Sequence, residues 1–131
     1  MEDLLQDHPD FRPLKEIVKK GSITYKQIER YNPKKGAVDE KGYLIKPIAI
    51  YEVYGSQYHP ERLSGYEVIK IRTMKGGMIG GNPIPPGEKY PSDEDIGVWG
   101  LSFHGEGCQE RAQKYYNQLK KEIDEKSCIK P

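Results

Sequence analysis

A chain of 131 residues with 35% hydrophobic and 31% charged side chains suits one polar domain, 1–131, with a modest core. No stretch approaches the roughly 18 apolar residues of a membrane span, so no membrane partner is expected. The net charge of +1 is unevenly spread: residues 1–10 carry four acids and no base, whereas residues 11–46 carry ten Lys and Arg against four Asp and Glu. Such a local positive excess is compatible with a phosphate-rich or acidic partner and equally with a solvated face.

The opening MEDLLQDHPD is an acidic arm without the apolar core of a secretory leader, which predicts a cytoplasmic location. FRPLKEIVKKG predicts a short helix with Leu14, Ile17 and Val18 on one side and Gly21 as its stop. SITYKQIERYNP predicts a second, capped by Ser22 or Thr24, with Ile28 and Tyr31 on one face and Asn32-Pro33 at its end. Residues 11–33 together predict a helical hairpin. The β-branched and aromatic residues of YLIKPIAIYEVYG (43–55) predict a strand. SQYHPERLSG is a hairpin loop, and YEVIKIRTM (66–74) a second strand. Residues 75–95, rich in Gly and Pro, predict a flap of a length that is often functional. IGVWGLSFH (96–104) predicts a third strand. Residues 107–126 predict an amphipathic helix, with Ala112, Tyr115, Leu119 and Ile123 at helical spacing, and residues 127–131 a tail.

The expected fold is therefore α+β: an N-terminal helical hairpin, a three-stranded antiparallel β-sheet, and a C-terminal amphipathic helix packed on the sheet. Residues 43–126 form its ββ-loop-βα core. Strict alternation groups Trp99, Leu101 and Phe103 with Ile69, Ile71, Ala49, Tyr51 and Val53 beneath the helix. The other face, with Ile48, Ile50, Tyr66 and Val68, is apolar too. The helical hairpin or a second copy of the chain, making a homo-oligomer, is expected to cover it.

LSFHGEGCQERA (101–112) raises the question of catalysis. Cys108 falls in the first turn of the last helix, where unpaired N–H groups and the helix dipole lower a thiol's pKa. His104 could take its proton and Glu106 could orient the imidazole, as in a Cys–His hydrolase or transferase. A strand turning into a helix explains the same residues, glycines included, and is the preferred reading. Cys128 lies twenty residues on, roughly 30 Å along that helix, too far for a disulfide with Cys108. His8, His59 and His104 are scattered, and no Cys-x-x-Cys or His-x-x-x-His occurs, so no metal and no cofactor are expected. The acids of SDEDIG (92–97) lack the spacing of a calcium loop. MKGGMIGGN matches neither phosphate-binding glycine motif.

LKEIVKKGSITYKQIERYNP (14–33) resembles the helical opening of bacterial sigma-factor N-terminal regions and half of a helix–turn–helix. The resemblance implies helices and nucleic-acid contact, with Lys15, Lys19, Lys20, Lys26, Arg30, Lys34 and Lys35 of a basic 12–46 segment on phosphates. The preferred expectation is a non-enzymatic binding or inhibitory module of the size of a phage or mobile-element accessory protein. It would grip a protein partner with the 55–64 loop and the 75–95 flap. The residues expected to do so are Tyr58, His59, Arg62, Met78, Ile79, Asn82 and Tyr90.

Overall fold

The N-terminal segment expected to form two helices forms two strands. The computed structural model describes residues 11–55, 59, 61–92 and 96–126. In it β1 (Ile17–Lys20) and β2 (Ile23–Tyr31) pair antiparallel around the two-residue loop Gly21-Ser22. Gly21 has φ 61°, the left-handed value such a loop needs at its first position and that side chains disfavour. Ile17, Val18, Ile23, Thr24 and Tyr25 are β-branched or aromatic and suit a pleated surface better than a helix. Ile28, which a helical period places beside Tyr31 on an apolar face, is the extra residue of a β-bulge between Gln27 and Glu29. It is 47% exposed. The bulge turns Gln27 and Arg30 to the same side of the sheet, opposite Tyr51 and Ala49. The helical hairpin is thus absent, and the resemblance of 14–33 to helical sigma-factor regions does not extend to its structure.

β3 (Ile48–Tyr54) and β4 (Leu63–Lys70) continue the antiparallel meander. The expected flap is largely an arm of short strands. β5 (Arg72–Met74) pairs with β8 (Gly87–Lys89), and β6 (Gly77–Ile79) pairs with β7 (Asn82–Ile84) around a Gly80-Gly81 tip. Residues 96–99 are a turn, and β9 (Gly100–His104) then pairs with β4. The sheet has five strands, not three, in the order β1-β2-β3-β4-β9. Among the described residues α1 (Cys108–Lys126) is the one helix, so the chain is mostly β. None of its described helical sequence is long and apolar enough to cross a membrane.

The helix does lie on the sheet, but on the face opposite to the one expected for β3 and β4. Ala112, Tyr116, Leu119 and Ile123 pack against Ile48, Ile50, Tyr66 and Val68. The register sets this: Phe103 lies opposite Tyr66 and Leu101 opposite Val68. Opposed residues share a face, and a one-residue difference in register exchanges the faces of a whole strand. Phe103 reaches Tyr115 of α1, ring centroids 5.8 Å apart. The other face, with Tyr25, Ala49, Tyr51, Val53, Ile69 and Ile71, is covered by the chain's own Tyr90 and Leu14. Each fully buried Ile or Val in these two layers contributes about 1.5–3 kcal/mol by removal from water.

Candidate functional site

Glu88 fastens the arm to the sheet. Arg30, turned inward by the bulge, grips it with both terminal nitrogens, at 2.6 Å to Oε1 and 2.5 Å to Oε2. The Leu14 amide donates to the same Oε1 at 2.9 Å. The backbone joins in: Arg12 N–H donates to the Pro86 carbonyl and Glu88 N–H to the Arg12 carbonyl, at 3.0 and 2.8 Å. Burial pushes the Glu88 carboxyl up. The Arg30 and Leu14 hydrogen bonds and the guanidinium charge outweigh burial and hold it below the ordinary glutamate range. One carboxylate thus ties together the N-terminal segment, β2 and β8.

Beside this tie opens a cleft of about 980 Å³. Its walls are the N-terminal segment, loops 32–37 and 42–47, the root of the arm, and Trp99. Among the described residues six cations line it, Arg30, Lys34, Lys35, Lys46, Arg72 and Lys75, against the single carboxylate of Glu88. That carboxylate is already committed to Arg30. Among the described residues no salt bridge reaches Lys34, Lys46 or Lys75. Lys46 Nζ and the Arg72 guanidinium stand over the Trp99 ring, 5.0 and 5.5 Å from its centroid, held by the negative face of the indole. Trp99 is fixed by its carbonyl, which accepts the Lys70 N–H at 2.7 Å. Pro47, next to Lys46, is fixed likewise by the Ile71 N–H at 2.8 Å. Like charges held together in a concavity raise the local potential and attract anions.

Of the seven basic residues expected on phosphates, Arg30, Lys34 and Lys35 line the cleft. Lys20 donates to the Pro91 carbonyl at 2.7 Å and sits over the Tyr90 and Tyr25 rings. Lys26 stands over Tyr54 at 4.8 Å, and Lys19 is exposed on β1. The cleft draws also on Lys46 of the same basic segment and on Arg72, Lys75 and Trp99, which the sequence reading missed. No local pattern announces those three, since strand pairing alone brings them near residue 46.

The residues expected to bind a protein partner are dispersed. Met78 and Asn82 are exposed on the arm, and Ile79 pairs with Asn82. His59 and Arg62 are exposed, and the Arg62 carbonyl accepts the Gly55 N–H at 2.9 Å. Tyr58 lies outside the described residues. Tyr90 is a core residue: its hydroxyl donates to Glu67 Oε1 at 2.6 Å, and its ring meets Tyr51 edge-on at 5.1 Å.

The Cys108 constellation is not assembled. Cys108 is half-buried against the helix-side core. His104 Nδ1 faces the Ser64 carbonyl at 3.3 Å, and Glu106 is exposed. Among the described residues no hydrogen bond joins His104 to Cys108 or to Glu106. Cys128, His8 and the acids at 93–95 lie outside the described residues. Among those described, no group of three or more His, Cys, Asp or Glu is placed to hold a metal. No protein-family model, curated protein or solved structure matches this chain.

Proposed function

We propose that the protein is a nucleic-acid-binding module that seats a phosphate backbone in the basic cleft. One observation carries this reading: among the described residues six cations line a cleft whose one carboxylate, Glu88, is held by Arg30, and no salt bridge reaches Lys34, Lys46 or Lys75. Such a site neutralises several phosphates at once and releases their counterions, which favours binding at low salt. Fluorescence anisotropy with a labelled oligonucleotide tests it. Binding is expected at low salt and is expected to weaken steeply as salt rises. Lys34→Glu combined with Lys75→Glu should abolish it. Lys19→Glu combined with Lys26→Glu, outside the cleft, should weaken it far less. No binding at low salt, or equal loss in both pairs, refutes the reading.

A second reading, a protein partner held by the arm, is favoured by the exposure of Met74, Met78 and Ile84 along β5–β7. It expects Met78→Ser with Ile84→Ser to abolish capture of that partner and to leave oligonucleotide binding unchanged.

A further inference from the structure

We infer that the cleft selects single strands over duplex, by stacking unpaired bases on Tyr43 and Trp99; this rests on the nucleic-acid reading above. Tyr43 lines the cleft with 68% of its surface exposed, and its neighbour Leu44 is 48% exposed. Core packing therefore does not account for either. The loop that carries them is nonetheless tightly fixed. The Asp39 carboxylate accepts the Lys41 and Tyr43 N–H groups at 2.8 and 3.0 Å. Asp39 N–H donates to the Tyr43 carbonyl at 2.9 Å, and Ile45 N–H to the Ala37 carbonyl at 3.0 Å. Val38 and Leu44 form a β-bridge across the loop. An aromatic ring held out by a self-closed turn loses little further freedom when something stacks on it.

Trp99 supplies a second ring in the same cleft, and the Lys46 and Arg72 cations that stand over it would move aside onto phosphates as a base takes their place. Positive charge interleaved with aromatic faces is the arrangement that holds single strands, phosphates on the cations and bases on the rings. A duplex hides its base faces in its own stack and would offer this cleft phosphates alone. The rings would then add nothing, so their presence favours unpaired bases.

Trp99 is the chain's single tryptophan, so its fluorescence reports the cleft directly. The full chain is titrated at low salt with a short oligothymidylate, a duplex of equal length, and inorganic polyphosphate of equal charge. The oligothymidylate is expected to quench Trp99 and to bind about tenfold tighter than either comparator, on the order of one base stack. Tyr43→Ala, checked for fold by circular dichroism, is expected to weaken oligothymidylate about tenfold and to leave polyphosphate unchanged. Equal affinity for oligothymidylate and polyphosphate, tighter duplex binding, or indifference to Tyr43→Ala overturns base stacking while the cleft reading stands. Failure of all three probes to bind removes both.

Discussion

Arg30 and Glu88, 58 residues apart, meet in a two-pronged ion pair that joins the bulged strand β2 to the base of the arm. The Glu88 side chain is 6% exposed, so removing its partner would strand a buried charge. Arg30→Ala is expected to cost about 3–5 kcal/mol, the range for breaking a buried pair from one side. Acid acts through the same contact. The folded Glu88 carboxyl lies below its unfolded value of 4.5. Its stabilising contribution is therefore complete above that value and is lost as pH falls through the folded one. Urea midpoints between about pH 5 and about pH 3 should fall more steeply for the parent than for Glu88→Gln. Parallel acid slopes would show that this pair does not hold the arm.

The second face of the sheet is expected to fail in alkali. Burial pushes the Tyr51 hydroxyl up to about 12, against a lowering by the hydrogen bond from Gln27. Burial raises Tyr90 as well, with the Glu67 charge and hydrogen bond adding to it. In the unfolded chain both ionise near 10, so their contribution is present below that pH and is lost as pH rises through the folded values. Tyrosinate absorbance should show Tyr51, Tyr90 and the buried Tyr116 of α1 titrating only as the fold is lost. Tyr90→Phe should cost about 1–3 kcal/mol at neutral pH, since Glu67 Oε1 loses its donor inside the core. Normal titration of every tyrosine in the native protein would contradict this packing.

The course of residues 11–33 separates two readings of the same letters. On a helix, Ile28 belongs to the buried stripe; in the bulged hairpin it is the residue that faces water. Ile28→Lys is therefore expected to change stability by no more than about 0.5 kcal/mol. Tyr25→Ala, two bonded residues from the turn side of Gln27, should cost about 3 kcal/mol or more, because Tyr25 is buried against Tyr90 at 4.8 Å. A large cost at both positions, measured by urea unfolding, would favour the helical course.

α1 was legible because Ala112, Leu119 and Ile123 keep a helical period against polar neighbours. β3 and β4 were legible through dense β-branched runs, and β9 through its alternation from Leu101 to Phe103. The faces were not, because both sides of β3 and β4 are apolar and only pairing fixes which side meets the helix. β1 and β2 were misread because the bulge at Ile28 breaks the two-residue alternation and imitates a helical step. The two-residue Gly-Ser loop between β-branched runs was the signal that could have corrected it. The cleft was legible only as an excess of charge in residues 11–46. Its other half comes from Arg72, Lys75 and Trp99, brought there by strand pairing.

The charge of the ten residues before Phe11 is expected to act on that cleft. Glu2, Asp3, Asp7 and Asp10 carry four negative charges on a segment covalently joined to Phe11, which itself lines the cleft. On the nucleic-acid reading, carboxylates joined in sequence to a cleft-lining residue are expected to compete with a phosphate chain. Replacing them together by Gln, Asn, Asn and Asn should tighten oligonucleotide binding several-fold at low salt. The gain should vanish near 1 M salt, where the screening length is about 3 Å. The parent's salt dependence sets the scale. If Lys34, Lys46 and Lys75 each meet a phosphate, the logarithm of affinity should fall with the logarithm of salt at a slope of about −2 for a single strand. Each Lys→Gln in the cleft should flatten that slope by about 0.7. Anisotropy titrations over a salt series read both effects, and unchanged low-salt affinity in the neutralised variant would exclude competition from the acidic segment.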